Sequence, residues 1–214
     1  MKTNSLLLFL PLIIVTTFSS TDSSTWVLRK SKNGISVYTR YAEGSSIKEV
    51  RVIDTVKSTY SAEVALLLDT KNFTKWVYHC TTYKVLKSIN EQEQYYYLLT
   101  SVPFPFSNRD VVTDSKISQD SVTKTVTINT IATPDFLPVV QGVVRIQHYH
   151  SIYTLTRLAD GKLQIDYTAF GDPGGDIPDW LINANIVVGP YKTTLEMNKR
   201  LPQYQKASFA FIKE

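Results

Sequence analysis

The chain of 214 residues has one cysteine, so a disulfide framework and a cysteine-rich zinc module are both excluded. Its eight glycines and nine prolines exclude collagen-like and low-complexity character. Charge is modest and mixed. The 23 Lys and Arg against 19 Asp and Glu leave a net charge of +4, too small and too dispersed for a nucleic-acid footprint. No G-x-S-x-G nucleophile turn and no glycine-rich phosphate loop occurs. One long apolar run is present, residues 6–15, with Pro11 inside it. At about ten residues it is too short to cross the roughly 30 Å of a bilayer's hydrocarbon as a helix. What is abundant is apolar and aromatic: 43% hydrophobic residues, enough for a core, and 13 tyrosines that favour β structure.

The N-terminus reads as an export signal. Met1-Lys2 supplies a positive start, residues 6–15 an apolar stretch, and residues 16–24 a small polar segment. That is the order of a secretory signal peptide. Residues 1–20 are expected to be removed, with cleavage between Ser19 and Asp22. The product would be one exported domain, 21–214, with its core at 26–201 and a short C-terminal tail. Its location would be secreted, periplasmic or luminal. No cysteine follows the apolar run, which argues against a lipoprotein anchor. Cys80 is expected to be a small core residue. Asn72-Phe73-Thr74 matches a glycosylation sequon.

After residue 25 the patterning predicts strands at 35–41 and 47–56, with Asn33-Gly34 as a turn. A short helix is expected at 61–68 and a second helical piece ending at Trp76. Further strands follow at 82–87, 92–102, 109–117, 122–131, 143–158 and 163–170. Short connections between them favour an antiparallel meander. A helix of about 37 Å should occupy 177–201 at 1.5 Å per residue. Asp176 would cap it, Pro178 fits its first turn, and Pro202 would stop it. Gly189-Pro190 should kink it. The fold class is therefore α+β: a curved antiparallel sheet of about eight or nine strands, gripped by a long C-terminal helix over its concave face. The helix stripe Leu181, Ala184, Val188, Tyr191 and Leu195 would face the sheet, leaving a cavity between them.

Several segments resemble the START (steroidogenic acute regulatory protein-related lipid transfer) family of the Bet v 1-like helix-grip superfamily. They are Trp26-Val27-Leu28 with Asn33-Gly34-Ile35-Ser36-Val37-Tyr38; Leu67-Leu68-Asp69 with Trp76; and Pro103-Phe104-Pro105 with Asn108-Arg109-Asp110-Val111-Val112. Gln141-Gly142-Val143-Val144-Arg145 and Asp172-Pro173-Gly174-Gly175-Asp176-Ile177-Pro178-Asp179-Trp180-Leu181-Ile182-Asn183 complete the set, in order. The resemblance implies an interior tunnel that takes one lipid for carriage or transfer, without catalysis and without a cofactor. Some sterol-binding relatives carry a buried acid–base pair on the two central strands. Tyr96 and Ser115 stand in those places here, which weakens any transfer of sterol specificity.

Alternation along the strands predicts the cavity side. Gln94, Tyr96, Leu98 and Thr100 share one face, and Val111, Thr113 and Ser115 another. Ile146, His148 and His150 are assigned to the cavity on the next strand, with Leu163, Ile165, Tyr167 and Ala169 on the last. Arg109 and Arg145 are candidate polar anchors for a ligand head, and each can equally tie loops or strands together. His148 and His150 share a face and would need a third ligand such as His79 to hold zinc, so no metal is expected. Phe104 and Phe106, stiffened by Pro103 and Pro105, could touch a membrane during exchange or plug the sheet's end. The expected partners are thus a lipid or other hydrophobic small molecule and, transiently, a membrane, with the chain a monomer that binds no nucleic acid. Two other readings remain open. One is a cyclase or hydrolase on the same fold, using His148, Asp166 and Tyr167. The other is a partner-binding domain with a filled interior.

Overall fold

A computed structural model describes residues 25–214. The expected signal peptide lies outside the described residues. Asn33 and Gly34 take φ of 57° and 81°, the pair of left-handed residues that a tight hairpin turn needs. They join β1 (Val27–Lys32) to β2 (Ile35–Tyr41), which pairs with β3 (Lys48–Val56). Helix α1 (Tyr60–Leu68) follows, and the Thr59 side chain accepts the Ala62 amide at 3.0 Å to cap it. A 3-10 turn at Phe73–Lys75 leads into β4 (Cys80–Ser88), β5 (Glu93–Thr100), β6 (Asn108–Gln119) and β7 (Val126–Ala132). Then come β8 (Val143–Arg145), β9 (His148–Arg157) and β10 (Leu163–Asp172). Helices α2 (Asp179–Asn185) and α3 (Val188–Arg200) end the regular structure, before a 3-10 turn at Leu201–Tyr204.

The strands form one sheet in the order β1-β2-β3-β10-β9-β7-β6-β5-β4, with β8 parallel to β6. From β4 to β10 the strands follow one another as the expected antiparallel meander, with only β8 off the path. The chain leaves β3 in the middle of the sheet, crosses on α1, and re-enters at the far edge with β4. The crossing places α1 over one end of the concave face, where Tyr60 and Val64 pack with Ile128, Leu155, Leu163 and Ile165. Helix α3 covers the other part. Tyr191 and Leu195 pack on Ile35, Val37, Val50 and Val52. Met197 and Leu201 join α1 through Ala62 and Leu66, with Trp76 beyond the 3-10 turn packed in the same cluster. A fully buried Leu or Ile contributes about 1.5–3 kcal/mol, so these three clusters hold the grip.

Two long elements expected from the sequence are broken. The strand expected at 143–158 divides at Ile146-Gln147, because its two parts take different partners: β8 runs parallel to β6, with the Ile146 amide bonded to the Asp110 carbonyl at 2.8 Å, and β9 runs antiparallel to β7 and β10. The helix expected at 177–201 breaks after Asn185 rather than at Gly189-Pro190. Pro190 is the third residue of α3, where the amide it lacks has no helical partner to lose. Asp176 does not cap. Pro178 takes the position before α2 and makes no side-chain cap bond. β1 was not among the expected strands.

Candidate functional site

A cavity of about 330 Å³ lies between the concave sheet, α1 and α3. That is at the lower end of the range for small-molecule pockets, about 300–1,000 Å³. Alternation places its wall. Tyr96 stands opposite Thr113 across the β5–β6 ladder and Leu98 opposite Val111, and all four line the cavity. Ser115 follows on the same face, and its hydroxyl meets that of Thr130 at 2.9 Å. Ile146 reaches the wall from the β8–β9 break, and Tyr167 from β10. Trp76, Phe73, Tyr83 and Tyr96 form a run of touching rings with centroids 4.5, 3.7 and 5.1 Å apart.

The wall is mostly apolar, and its polar groups, Glu91 apart, are uncharged. Tyr96 donates to the Gln94 carbonyl oxygen at 2.8 Å, and the Tyr149 and Tyr167 hydroxyls stand 3.5 Å apart. Burial pushes the Tyr96 phenol up to about 12. It also raises Tyr83, Tyr153 and Tyr167 far above the usual phenol value. These groups therefore stay neutral and can only exchange hydrogen bonds. Glu91, exposed at the turn between β4 and β5, is the one charged residue among those lining the cavity.

Beside the cavity, α1 buries a carboxyl. Glu63 is 1% exposed, and its Oε1 has no hydrogen-bond partner. Burial, then the nearby Asp54 charge, pushes it up to about 8. Asp54 is also raised, again by burial, although Asn198 of α3 donates to it at 2.5 Å.

Ten of the residues assigned to the cavity from sequence do not line it, Leu163 and Ala169 among them because they are packed into the core clusters beneath α1 and α3. His148 is exposed on the outer face, with His150, because the break at Ile146-Gln147 resets the alternation of β9. Tyr149, Ser151 and Tyr153 take the inner face instead. Ile165 has the right phase but is covered by α1. Tyr191 and Leu195 press against β2 and β3, Leu181 and Val188 are half-buried off the cavity, and Ala184 is exposed. The cavity side of α3 is made of Gly189, Pro190, Thr193 and Thr194.

The two arginines are structural in their contacts. Arg109 donates to the carbonyls of Ser107, Pro173 and Gly174 at 2.5–3.2 Å, tying the loop before β6 to the segment after β10. Arg145 makes a buried, bidentate pair with Asp110 at 2.7 and 3.0 Å and donates to the carbonyls of Pro134, Leu137 and Pro138. Neither lines the cavity. The proposed acid–base set does not converge. Asp166 is engaged by Arg51, His148 faces outward, and Tyr167 faces inward. Among the described residues no three His, Cys, Asp or Glu side chains gather as a metal site. Cys80 is buried, and burial raises its thiol to about 11.

Among the residues that sequence reading left out are Tyr83, Tyr149, Ser151, Tyr153, Thr193 and Thr194. A signal for three of them was present. Tyr149, Ser151, Tyr153 and Leu155 alternate as cleanly as the even set, and only the phase was ambiguous.

The family model described as the START domain matches residues 19–207. The phosphatidylcholine transfer protein of Rattus norvegicus is 30% identical over 191 residues, covering 85% of this chain and 86% of its own length. An uncharacterised protein of Pseudomonas aeruginosa is 29% identical over 171 residues, covering 78% and 82%. Among solved structures, a STAR-related lipid transfer protein from Xanthomonas axonopodis superposes with a TM-score of 0.77 at 34% identity, covering 83% of this chain and 99% of that one.

Proposed function

The chain belongs to the START domain family, and from that premise we propose that it carries one neutral lipid, bearing a single hydroxyl or carbonyl, in the cavity under α1 and α3. Family membership and the named activity of the relatives support lipid binding or transfer in general. The finer reading rests on one observation. The wall offers hydroxyls and rings but no charged side chain except the exposed Glu91. A phosphatidylcholine head carries a phosphate and an ammonium, and burying either without a partner is heavily disfavoured. An apolar body with one hydroxyl or carbonyl meets no such penalty. Each 100 Å² of it withdrawn from water contributes about 2.5 kcal/mol.

Binding on this reading is partition, with no bond made or broken, and no cofactor takes part. The protein acts as an exported monomer once residues 1–20 are removed. It touches a membrane only while exchanging its ligand. Phe104, 96% exposed between two prolines, and Trp180, 70% exposed at the start of α2, are the apolar contacts for that step. Native mass spectrometry of protein purified from its own host is the test. The expected result is one bound species per chain whose mass is that of an uncharged lipid. A phospholipid adduct would overturn the neutral-ligand reading. No adduct, together with no uptake of a fluorescent lipid alcohol, would overturn carriage altogether.

A further inference from the structure

The C-terminal segment 205–214 was expected only as a tail, and the family model ends within it at residue 207. In the structure it is a strap. It leaves the 3-10 turn at Leu201–Tyr204 and passes beneath α1. There Ile212 is 6% exposed, with Phe209 and Phe211 half-buried beside it. Two attachments hold its end. The Gln119 side chain, at the end of β6, accepts the Lys213 amide and donates to the Lys213 carbonyl, both at 2.7 Å. The Glu214 carboxylate accepts the Tyr60 and Ser61 amides at 3.0 and 2.9 Å, at the first turn of α1, and pairs with Arg157 of β9 at 3.0 Å. Negative charge at a helix N-terminus is favourable there.

Ile212 completes the buried cluster that also holds Ile117 and Ile128, which line the cavity. Three more cavity residues, Leu67, Leu68 and Tyr153, pack against the same cluster. The strap therefore stands behind that end of the cavity, on the side away from the Arg109-tied loops.

We propose that Ile212, clamped by the Gln119 and Glu214 attachments, is the length stop of the cavity: it fixes how long an apolar chain the protein accepts. This rests on the carrier reading above. The cavity interior is dense, so a chain that runs past the stop gains nothing and meets side chains instead. Ile212 stands behind the wall, so removing its methylenes lets Ile117 and Ile128 settle back and the same number of ligand methylenes enter. Each methylene buried is worth about fourfold in affinity.

The experiment measures the affinity of the intact chain for a series of 1-alkanols of increasing length, by displacement of a fluorescent lipid alcohol. In the parent, affinity should rise with length and then level off. In Ile212→Ala the break should move out by two or three carbons. The longest alcohols should then bind about fifteen- to sixtyfold tighter than to the parent, and the shortest unchanged. Ile212→Val, the milder change, should move the break by one carbon and keeps the test valid if the alanine variant does not fold. A break at the parent length in both folded variants, or equal gains at every length, would overturn the length stop. A parent that binds none of the alcohols would overturn the carrier reading and the length stop with it.

Discussion

Glu63 offers the sharpest test of the energetics. Its carboxyl is buried on α1 with one oxygen unpartnered, beside Asp54 and Tyr153. Burial lifts it from 4.5 to about 8. The folded protein thus holds a proton between those values that the unfolded chain has released. Stability from this group is complete below pH 4.5 and is lost as pH rises through about 8. Within that window the loss is about 1.4 kcal/mol per pH unit. At pH 7 the deficit is about 3 kcal/mol, and above pH 8 it levels off near 5 kcal/mol. A domain of this size has only about 5–15 kcal/mol in total, so the effect is large.

Glu63→Gln keeps the shape and abolishes the titration. Urea unfolding at several pH values between 5 and 9 should show the parent weakening steadily with alkali. The variant should stay nearly flat and exceed the parent by about 2–3 kcal/mol at pH 7, after allowing up to about 1 kcal/mol for its extra unpartnered amide. Asp54 is raised too and pushes in the same direction, but its bonds from Asn198 and the Thr55 amide hold it back. Its contribution should remain in both proteins. Parallel pH profiles for parent and variant would refute the reasoning.

Three other outcomes are expected. Arg145→Ala leaves Asp110 buried without its partner and frees the Pro134, Leu137 and Pro138 carbonyls, so it should lower unfolding free energy by about 3–5 kcal/mol in urea titration. Leu98→Trp should fill the cavity from β5 and abolish uptake of a fluorescent lipid alcohol while the melting temperature holds or rises, since the new side chain occupies empty space. The protein isolated from its own host should have an intact mass lower than the full sequence by its first 20 or so residues, with a new N-terminus between Ser20 and Ser23.

Much of the architecture was legible because the relevant signals are local. Strand 35–41 was read to the residue, since Asn33-Gly34 fixes where the hairpin turns. The helix at 61–68 was read to within one residue, since its apolar residues break strict alternation. The succession of the later strands was legible from their short connections, but the crossing from β3 to β4 was not. Nothing in residues 57–79 announces that the chain crosses the sheet rather than pairing with its predecessor, because strand partners are chosen by long-range packing. The phase of β9 failed for a related reason. A side chain's face is known only from an uninterrupted count, and the Ile146-Gln147 break comes from a change of partner strands, from β6 to β7 and β10, that no local pattern shows. One slip of phase exchanged His148 and His150 for Tyr149, Ser151 and Tyr153.

The error on α3 has a deeper cause. A helical stripe such as Tyr191 and Leu195 shows which side of a helix avoids water, but not whether that side meets a wall or a hollow. In a packed interior, large apolar groups go where atoms can surround them, because dispersion and burial both reward contact. Tyr191 and Leu195 find that contact on β2 and β3. The side of the helix over the hollow meets little besides Tyr78, whose amide donates to the Thr193 hydroxyl at 3.1 Å, so bulk there would close it. It carries Gly189, Pro190, Thr193 and Thr194, with the Thr194 hydroxyl turned back to the Pro190 carbonyl at 3.0 Å. A cavity therefore marks itself on a gripping helix by small and hydroxylic residues next to the apolar stripe. Reading α3 by that rule selects Gly189, Thr193 and Thr194. The same rule explains why the oily stripe, the strongest pattern in the segment, was the wrong place to look for the ligand.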